Sequence, residues 1–287
     1  MSPGPVVRYY GWSALSIETG GRSLFFDPFY REYCGARWFS LEDFRRASIV
    51  CVTHGHEEHF LDTPEVAKAS GATVVGPPAV TSFLRRRHGI APEKLVALRA
   101  GESCELPGFR ISAFHWRHRD INLVKALSRA VFEGNTTQLS WAWSSATRAP
   151  FYAPYTGYHV ELPSGLTVLN YNEGFNTKMT DAEIAELGRR FRTDVLLAGM
   201  QLHFVADVAR GAAALQPRIV ILYAPHEKFH AMMGATAAPW EVFAEAVQKA
   251  LPKAVVVIAR PGTAVDAADG RVLESAPRFA PAAAQAA

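Results

Sequence analysis

Seven consecutive residues carry the densest chemistry in the chain: Thr53-His54-Gly55-His56-Glu57-Glu58-His59. Among them His54, His56, Glu58 and His59 offer three imidazoles and a carboxylate. Those groups suit zinc, iron or manganese. One cation cannot easily take all four from so short a loop. Two adjacent cations can, with alternate residues splayed toward each. The bland alternative is a polar turn that happens to be rich in histidine. Three histidines this close, beside a glycine and behind an apolar strand, favour metal binding.

The run before the loop positions it. Ile49-Val50-Cys51-Val52 is apolar and β-branched, and it predicts a buried strand over 48–53. The histidines therefore begin at a strand's C-terminal end, where a rigid scaffold can hold a site. Three short β-rich runs precede it, at 6–10, 14–19 and 23–27, the last two joined by a Gly20-Gly21 hairpin turn. Thr63 to Ser70 reads as a helix, with Thr63 as N-cap, Pro64 at the first position and Gly71 as the stop. Strands at 73–76, 110–114, 157–162, 167–171, 194–198, 218–223 and 254–258 follow, interspersed with helices at 78–88, 181–191, 206–215 and 240–250. Two β-rich sheets with helices outside make an α/β fold, a four-layer αββα sandwich. Residues 1–275 read as one domain, because no linker separates two cores. The segment at about 120–155 is rich in aromatic residues and reads as an insertion, either a pocket wall or a dimer contact. The Ala- and Pro-rich stretch 276–287 reads as a disordered tail.

The segment from Thr53 resembles the HxHxDH signature of the metallo-β-lactamase superfamily, with Glu58 in place of the usual Asp. The opening Tyr10-Gly11-Trp12-Ser13-Ala14-Leu15-Ser16-Ile17-Glu18, followed by Phe26-Asp27-Pro28, resembles the first hairpin and Asp-Pro turn of one branch. That branch includes ascorbate-6-phosphate lactonase and N-acylphosphatidylethanolamine phospholipase D. The resemblance runs from about residue 6 to 260, leaving out the insertion, and implies the superfamily's sandwich fold. It also implies a ligand in His115-Trp116-Arg117-His118-Arg119. His115 matches the family's His-Trp pair, and His118 is the competitor or else faces substrate. The family's bridging Asp falls on Glu173, a second Asp-to-Glu change, unless Glu173 is an ordinary strand-end carboxylate. The last family histidine falls on His226.

On this reading one ion has His54, His56 and His115, and the other has Glu58, His59 and His226. Glu173 and a hydroxide lie between them. Glu58 could also orient the hydroxide or receive its proton. Asp27 resembles the residue that holds a ligand imidazole from behind, unless it only forms the turn. Trp116, His118, His203 and Arg119 are candidates to face substrate, with His230 as a further pocket residue. Arg119 and Arg117 suit a phosphate or carboxylate. His159, mid-strand, reads as a packed structural histidine.

The implied activity is that of a dinuclear metallohydrolase of lactonase or phosphodiesterase type. It would use a metal-bound hydroxide on a lactone, amide or phosphoester, with two divalent ions, zinc first and manganese or iron as alternatives. The two Asp-to-Glu changes also motivate a dinuclear iron redox enzyme on the same fold. A non-catalytic, ligand-binding relative is the third reading. The chain has 287 residues, 49% hydrophobic and 20% charged, with net charge +3, an ordinary globular balance. No basic run points to nucleic acid, and Arg85-Arg86-Arg87-His88 reads as a solvated helix end. Cys34, Cys51 and Cys104 form no CxxC, so neither a disulfide framework nor a thiolate zinc site is expected. Met1 to Tyr10 lacks signal-peptide features, and no apolar run reaches the length of about 20 that spans a bilayer. The expectation is a cytoplasmic protein with a small-molecule substrate, without a nucleic-acid partner, and open to homo-oligomerisation. There is no GxGxxG in a βαβ context, no P-loop and no GxSxG.

Overall fold

The computed structural model describes residues 4–119, 132, 143, 147–232 and 234–275. Its strands in chain order are β1 (Val6–Gly11), β2 (Ala14–Thr19), β3 (Arg22–Phe26), β4 (Ile49–Cys51), β5 (Thr73–Gly76), β6 (Leu95–Ala97), β7 (Ser103–Leu106) and β8 (Phe109–His115). They continue with β9 (Thr156–Glu161), β10 (Thr167–Asn170), β11 (Val195–Gly199), β12 (Ile219–Tyr223), β13 (Val255–Ala259), β14 (Ala264–Asp266) and β15 (Val272–Glu274). One sheet has the order β15-β14-β1-β2-β3-β4-β5-β6, the other β13-β12-β11-β10-β9-β8-β7. Strands β3 to β6 run parallel, as do β10 to β13.

Side-chain alternation along the strands sorts three apolar layers. Leu24, Phe26, Ile49, Cys51 and Val75 face Ile111, Val160, Val168, Leu197 and Ile221 between the sheets. The intervening Phe25, Val50 and Val74 face outward onto Val66, Val80 and Leu84 of the helices Thr63–Ser70 and Pro78–His88. On the other side Leu196, Ala198, Val220 and Leu222 meet Ile184, Val208, Ala212 and Val247. Those come from the helices Asp181–Arg190, Val205–Leu215 and Trp240–Ala250. Both central parallel strands are buried on two faces, which is why they are uniformly apolar. The result is the four-layer αββα sandwich expected from the sequence.

The helices Thr63–Ser70, Pro78–His88 and Trp240–Ala250 cover the expected ranges, but the first begins one residue earlier than its expected cap implies: Asp62 is the N-cap, Thr63 is the first helical residue, and Gly71 ends the helix as expected. Three one-turn or two-turn helices, Leu41–Phe44, Glu57–Phe60 and Glu227–Met232, have no counterpart in the sequence reading, being too short to show a helical period. Most of the aromatic insertion, 120–131, 133–142 and 144–146, lies outside the described residues, as does the expected tail 276–287. Among the described residues no helix is long and apolar enough to cross a membrane.

Candidate metal centre

Strands β3 and β4 end on the same side of the sandwich as β8, β10, β11 and β12, and the loops beyond them converge there. β4 leads into Thr53–His56, and the second half of the motif winds into the helix Glu57–Phe60, which carries Glu58 and His59 inward. Gly55 has a specific role here. A Cβ on it would lie 2.0 Å from the Pro150 carbonyl oxygen. Its absence lets the segment before β9 lie over the loop, where the Thr156 amide donates to the Thr53 carbonyl.

Two groups of potential ligands face each other. His54, His56, His118 and Glu173 form one, and Glu58, His59 and His226 form the other; within each group the ligand atoms lie within 4.8 Å of one another. Glu173 sits between them. Its Oε1 is 3.4 Å from His54 Nε2, 3.4 Å from His59 Nε2 and 3.2 Å from His118 Nε2. Its Oε2 is 3.7 Å from His226 Nδ1. Glu58 Oε1 is 3.1 Å from His226 Nε2.

Backbone contacts present Glu173. Gly174 has φ +101, and a Cβ there would stand 1.9 Å from the Gly199 carbonyl oxygen. A Cβ on Gly199 would in turn stand 2.4 Å from the Glu173 carbonyl oxygen. Only two glycines permit this close approach of the β10 and β11 ends.

The hydrogen bonds behind the histidines set their tautomers. His59 Nδ1 lies 2.7 Å from Asp27 Oδ2, an acceptor, so it carries a proton and turns Nε2 toward the cluster. Thr53 donates its hydroxyl to Asp27 Oδ2 and its amide to Asp27 Oδ1. With its proton spent, Thr53 Oγ1 accepts from Asn172 Nδ2 and from His54 Nδ1. His118 Nδ1 donates to the Arg119 carbonyl at 2.6 Å. Three Nδ1 protons are thus fixed outward and three Nε2 atoms turn inward, the arrangement that orients imidazoles for a metal.

Six polar atoms of the cluster have no hydrogen bond within the protein. His54 Nε2, His59 Nε2, both ring nitrogens of His226, Glu58 Oε2 and Glu173 Oε1 are buried without a hydrogen bond. Buried polar atoms are normally satisfied, so six orphans in one cluster fit a cation that supplies the missing partner. The electrostatics agree. Burial lowers His54 far below its ordinary range and His56 to about 4, keeping both as neutral donors. Burial would raise Glu58 and Glu173, but the surrounding histidines hold both carboxylates well below their usual range. Burial would lower His59, yet the Asp27 carboxylate pushes it up to about 10. The Asp27 carboxylate that favours a proton on His59 favours a cation beside that ring as well.

The expected site residues fall into place unevenly. His54, His56, Glu58, His59, Glu173 and His226 all come together. The third histidine of the first group is His118, not His115. His115 ends β8 opposite Thr156 and is exposed, because the strand runs past the core at that residue. The chain needs three more residues to turn inward, and His118 is the one that arrives. Trp116, expected to face substrate, is fully buried behind the histidines, its ring 5.8 Å from His54. His203 is exposed and contacts Thr236, outside the cluster. Asp27 has no exposed surface and stands behind His59, so it positions rather than touches substrate. Arg119 is half-buried beside the cluster and contacts Gln201 and His230. His159 packs on Phe191 and bonds the Arg192 carbonyl, as a structural histidine does.

Four residues went unmarked in the sequence. Thr53 holds His54 and is itself held by Asn172, Gln201 holds Glu173, and Tyr155 stacks on His118 with ring centres 4.8 Å apart. Thr53 and Asn172 adjoin ligands and could have been suspected from position. Nothing local marks Gln201 or Tyr155.

The sandwich with its centre at the strand ends defines a metallo-β-lactamase fold. The profile of the beta-lactamase superfamily domain matches residues 15–223, and the chain belongs to that family. A UPF0173 metal-dependent hydrolase of Geobacillus sp. is 40% identical over 78 residues, 27% of this chain. That match spans only 34% of the Geobacillus protein's length. A second, from Roseiflexus castenholzii, is 23% identical over 213 residues, covering 73% of this chain and 77% of the relative. Among solved structures, the metallo hydrolase Igni18 of Ignicoccus hospitalis superposes with a TM-score of 0.67 at 20% identity, covering 91% of this chain and 97% of that one, and so shares the fold.

Proposed function

We propose that this protein is a metal-dependent hydrolase with two divalent ions. His54, His56 and His118 hold one, and Glu58, His59 and His226 hold the other, with Glu173 between. One observation carries the reading. Three imidazoles have their outer nitrogens fixed by hydrogen bonds and their inner nitrogens converging on one carboxylate oxygen, with those of His54 and His59 buried and without a hydrogen bond. The names of the Geobacillus and Roseiflexus relatives support it.

When bound, the ions supply a Lewis acid and make water nucleophilic at neutral pH. The chain's own residues do the rest. Glu58 has one buried oxygen without a partner and accepts a hydrogen bond from the proton that the attacking water gives up. The water oxygen bonds to the carbonyl carbon or phosphorus of the substrate, the bond to the leaving oxygen or nitrogen breaks, and the proton passes to that leaving group. Arg119 has no carboxylate partner among the described residues, so an anionic group on a small substrate fits beside the centre. A lactone, amide or phosphoester bearing such a group is the substrate class, and zinc is the first choice of ion.

The test is metal content per chain, on protein purified without added metal or chelator, followed by a screen of lactones, amides and phosphodiesters. About two zinc or manganese ions with hydrolysis would support the reading. Two irons with oxygen consumption and no hydrolysis would replace it with redox chemistry. Protein that takes up no metal would refute it.

A further inference from the structure

We infer that Gln201 is a positioning residue that commits one oxygen of Glu173 to the protein, leaving Oε1 as the only oxygen this carboxylate offers to metal. The inference rests on the metal-centre reading above. Gln201 is buried just beyond β11 and reaches back to Glu173. Its Nε2 lies 2.8 Å from Glu173 Oε2 and 3.0 Å from the Glu173 carbonyl oxygen, so both amide protons are used on one residue.

The orientation of that amide is settled by its other end. Arg119 Nε lies 2.7 Å from Gln201 Oε1. A guanidinium nitrogen can only donate, so the atom facing it is the oxygen and the atoms facing Glu173 are the N–H groups. Arg119 is itself steadied by His230, whose Nε2 is 3.4 Å from Nη2. The chain Arg119–Gln201–Glu173 therefore runs in one direction.

The consequence is a division of labour within one carboxylate. Oε2 is hydrogen-bonded, and Oε1 is buried without a hydrogen bond, facing the Nε2 atoms of His54, His59 and His118. Without Gln201, Oε2 is an unpartnered buried oxygen beside His226 and turns to metal as well. Gln201 thereby limits the number of oxygen ligands at the centre.

The experiment compares wild type, Gln201→Met, Arg119→Met and the double variant in three readouts. These are zinc content after dialysis, zinc affinity by chelator competition, and the visible spectrum of the cobalt-loaded proteins. Gln201→Met should weaken zinc binding by about tenfold to a hundredfold, as for outer partners of ligands generally. Its cobalt spectrum should weaken and shift toward that of a higher coordination number, because Oε2 is freed. Arg119→Met should move both readouts the same way but less, and the double variant should be no worse than Gln201→Met, since both act through one amide. Gln201→Leu serves if the Met variant does not fold, as judged by near-UV circular dichroism. Wild-type affinity and spectrum in the Gln201 variant, or additive losses in the double variant, would overturn the inference. If the metal reading fails, wild type takes up no ion; if only this inference fails, wild type loads normally and the Gln201 variant matches it.

Discussion

Replacing Asp27 with asparagine isolates the hydrogen bond that fixes His59. Asp27 stands at φ 41, a left-handed conformation that asparagine also tolerates, so the backbone is not disturbed. The carboxylate accepts three bonds: the Thr53 amide at 2.8 Å on Oδ1, and the Thr53 hydroxyl at 2.5 Å and His59 Nδ1 at 2.7 Å on Oδ2. An asparagine has one oxygen. With that oxygen toward the Thr53 amide, its NH2 opposes His59 Nδ1, and the imidazole escapes only by moving its proton to Nε2, the atom that faces the cluster. With the amide turned round, the NH2 opposes the Thr53 N–H instead, which is then left buried and unpaired. Either outcome costs about 1–3 kcal/mol. At 1.4 kcal/mol per factor of ten, that is about tenfold to a hundredfold in affinity for the ion beside His59. Chelator competition with zinc measures it directly, and melting both proteins in excess chelator separates the loss of affinity from any loss of fold. An Asp27→Asn variant that binds two ions with wild-type affinity would refute the reasoning and leave Asp27 as a turn former.

Three further outcomes are expected. His118→Ala should lose up to one metal ion per chain in elemental analysis, whereas His115→Ala should keep the wild-type content, because only His118 reaches the cluster. Gly174→Ala combines a φ of +101 with a Cβ placed 1.9 Å from a backbone oxygen, and should destabilise the fold by at least about 2 kcal/mol in urea titration. Burial would raise the Asp194 carboxyl, but hydrogen bonds from the Thr167 amide and hydroxyl and from Arg218 and Arg192 hold it below its ordinary 3.8. A depressed carboxylate stabilises the fold above its unfolded pKa and loses that contribution as pH falls through the folded value. The stability gap between wild type and Asp194→Asn should therefore be full at pH 7 and shrink below 3.8, as followed by denaturation at several pH values.

The four layers and most of the centre were legible because they are local signals. Val50 and Cys51 are apolar in succession because β4 is buried on both faces, and the helix Thr63–Ser70 is framed by its own proline and glycine. His54, His56, Glu58 and His59 are neighbours in sequence, so their convergence needs only one strand end and one turn of helix. Glu173 and His226 were reached through a resemblance in the order of motifs, and each sits where its strand ends. The one-turn helices could not be read, since a single turn has no period.

What the tertiary structure decided were the contacts between distant segments. Whether His115 or His118 joins the cluster depends on where β8 leaves the sheet, and that is fixed by its pairing with β9, not by the residues around it. Gln201 reaches Glu173, and Tyr155 reaches His118, only because strand ends far apart in sequence lie side by side. The amino-acid sequence by itself determined the layers and the type of chemistry, because burial and ligand type are properties of short segments. The choice among competing ligands and the residues that hold them followed from packing, because a hydrogen bond across 28 or 119 residues leaves no trace in local pattern.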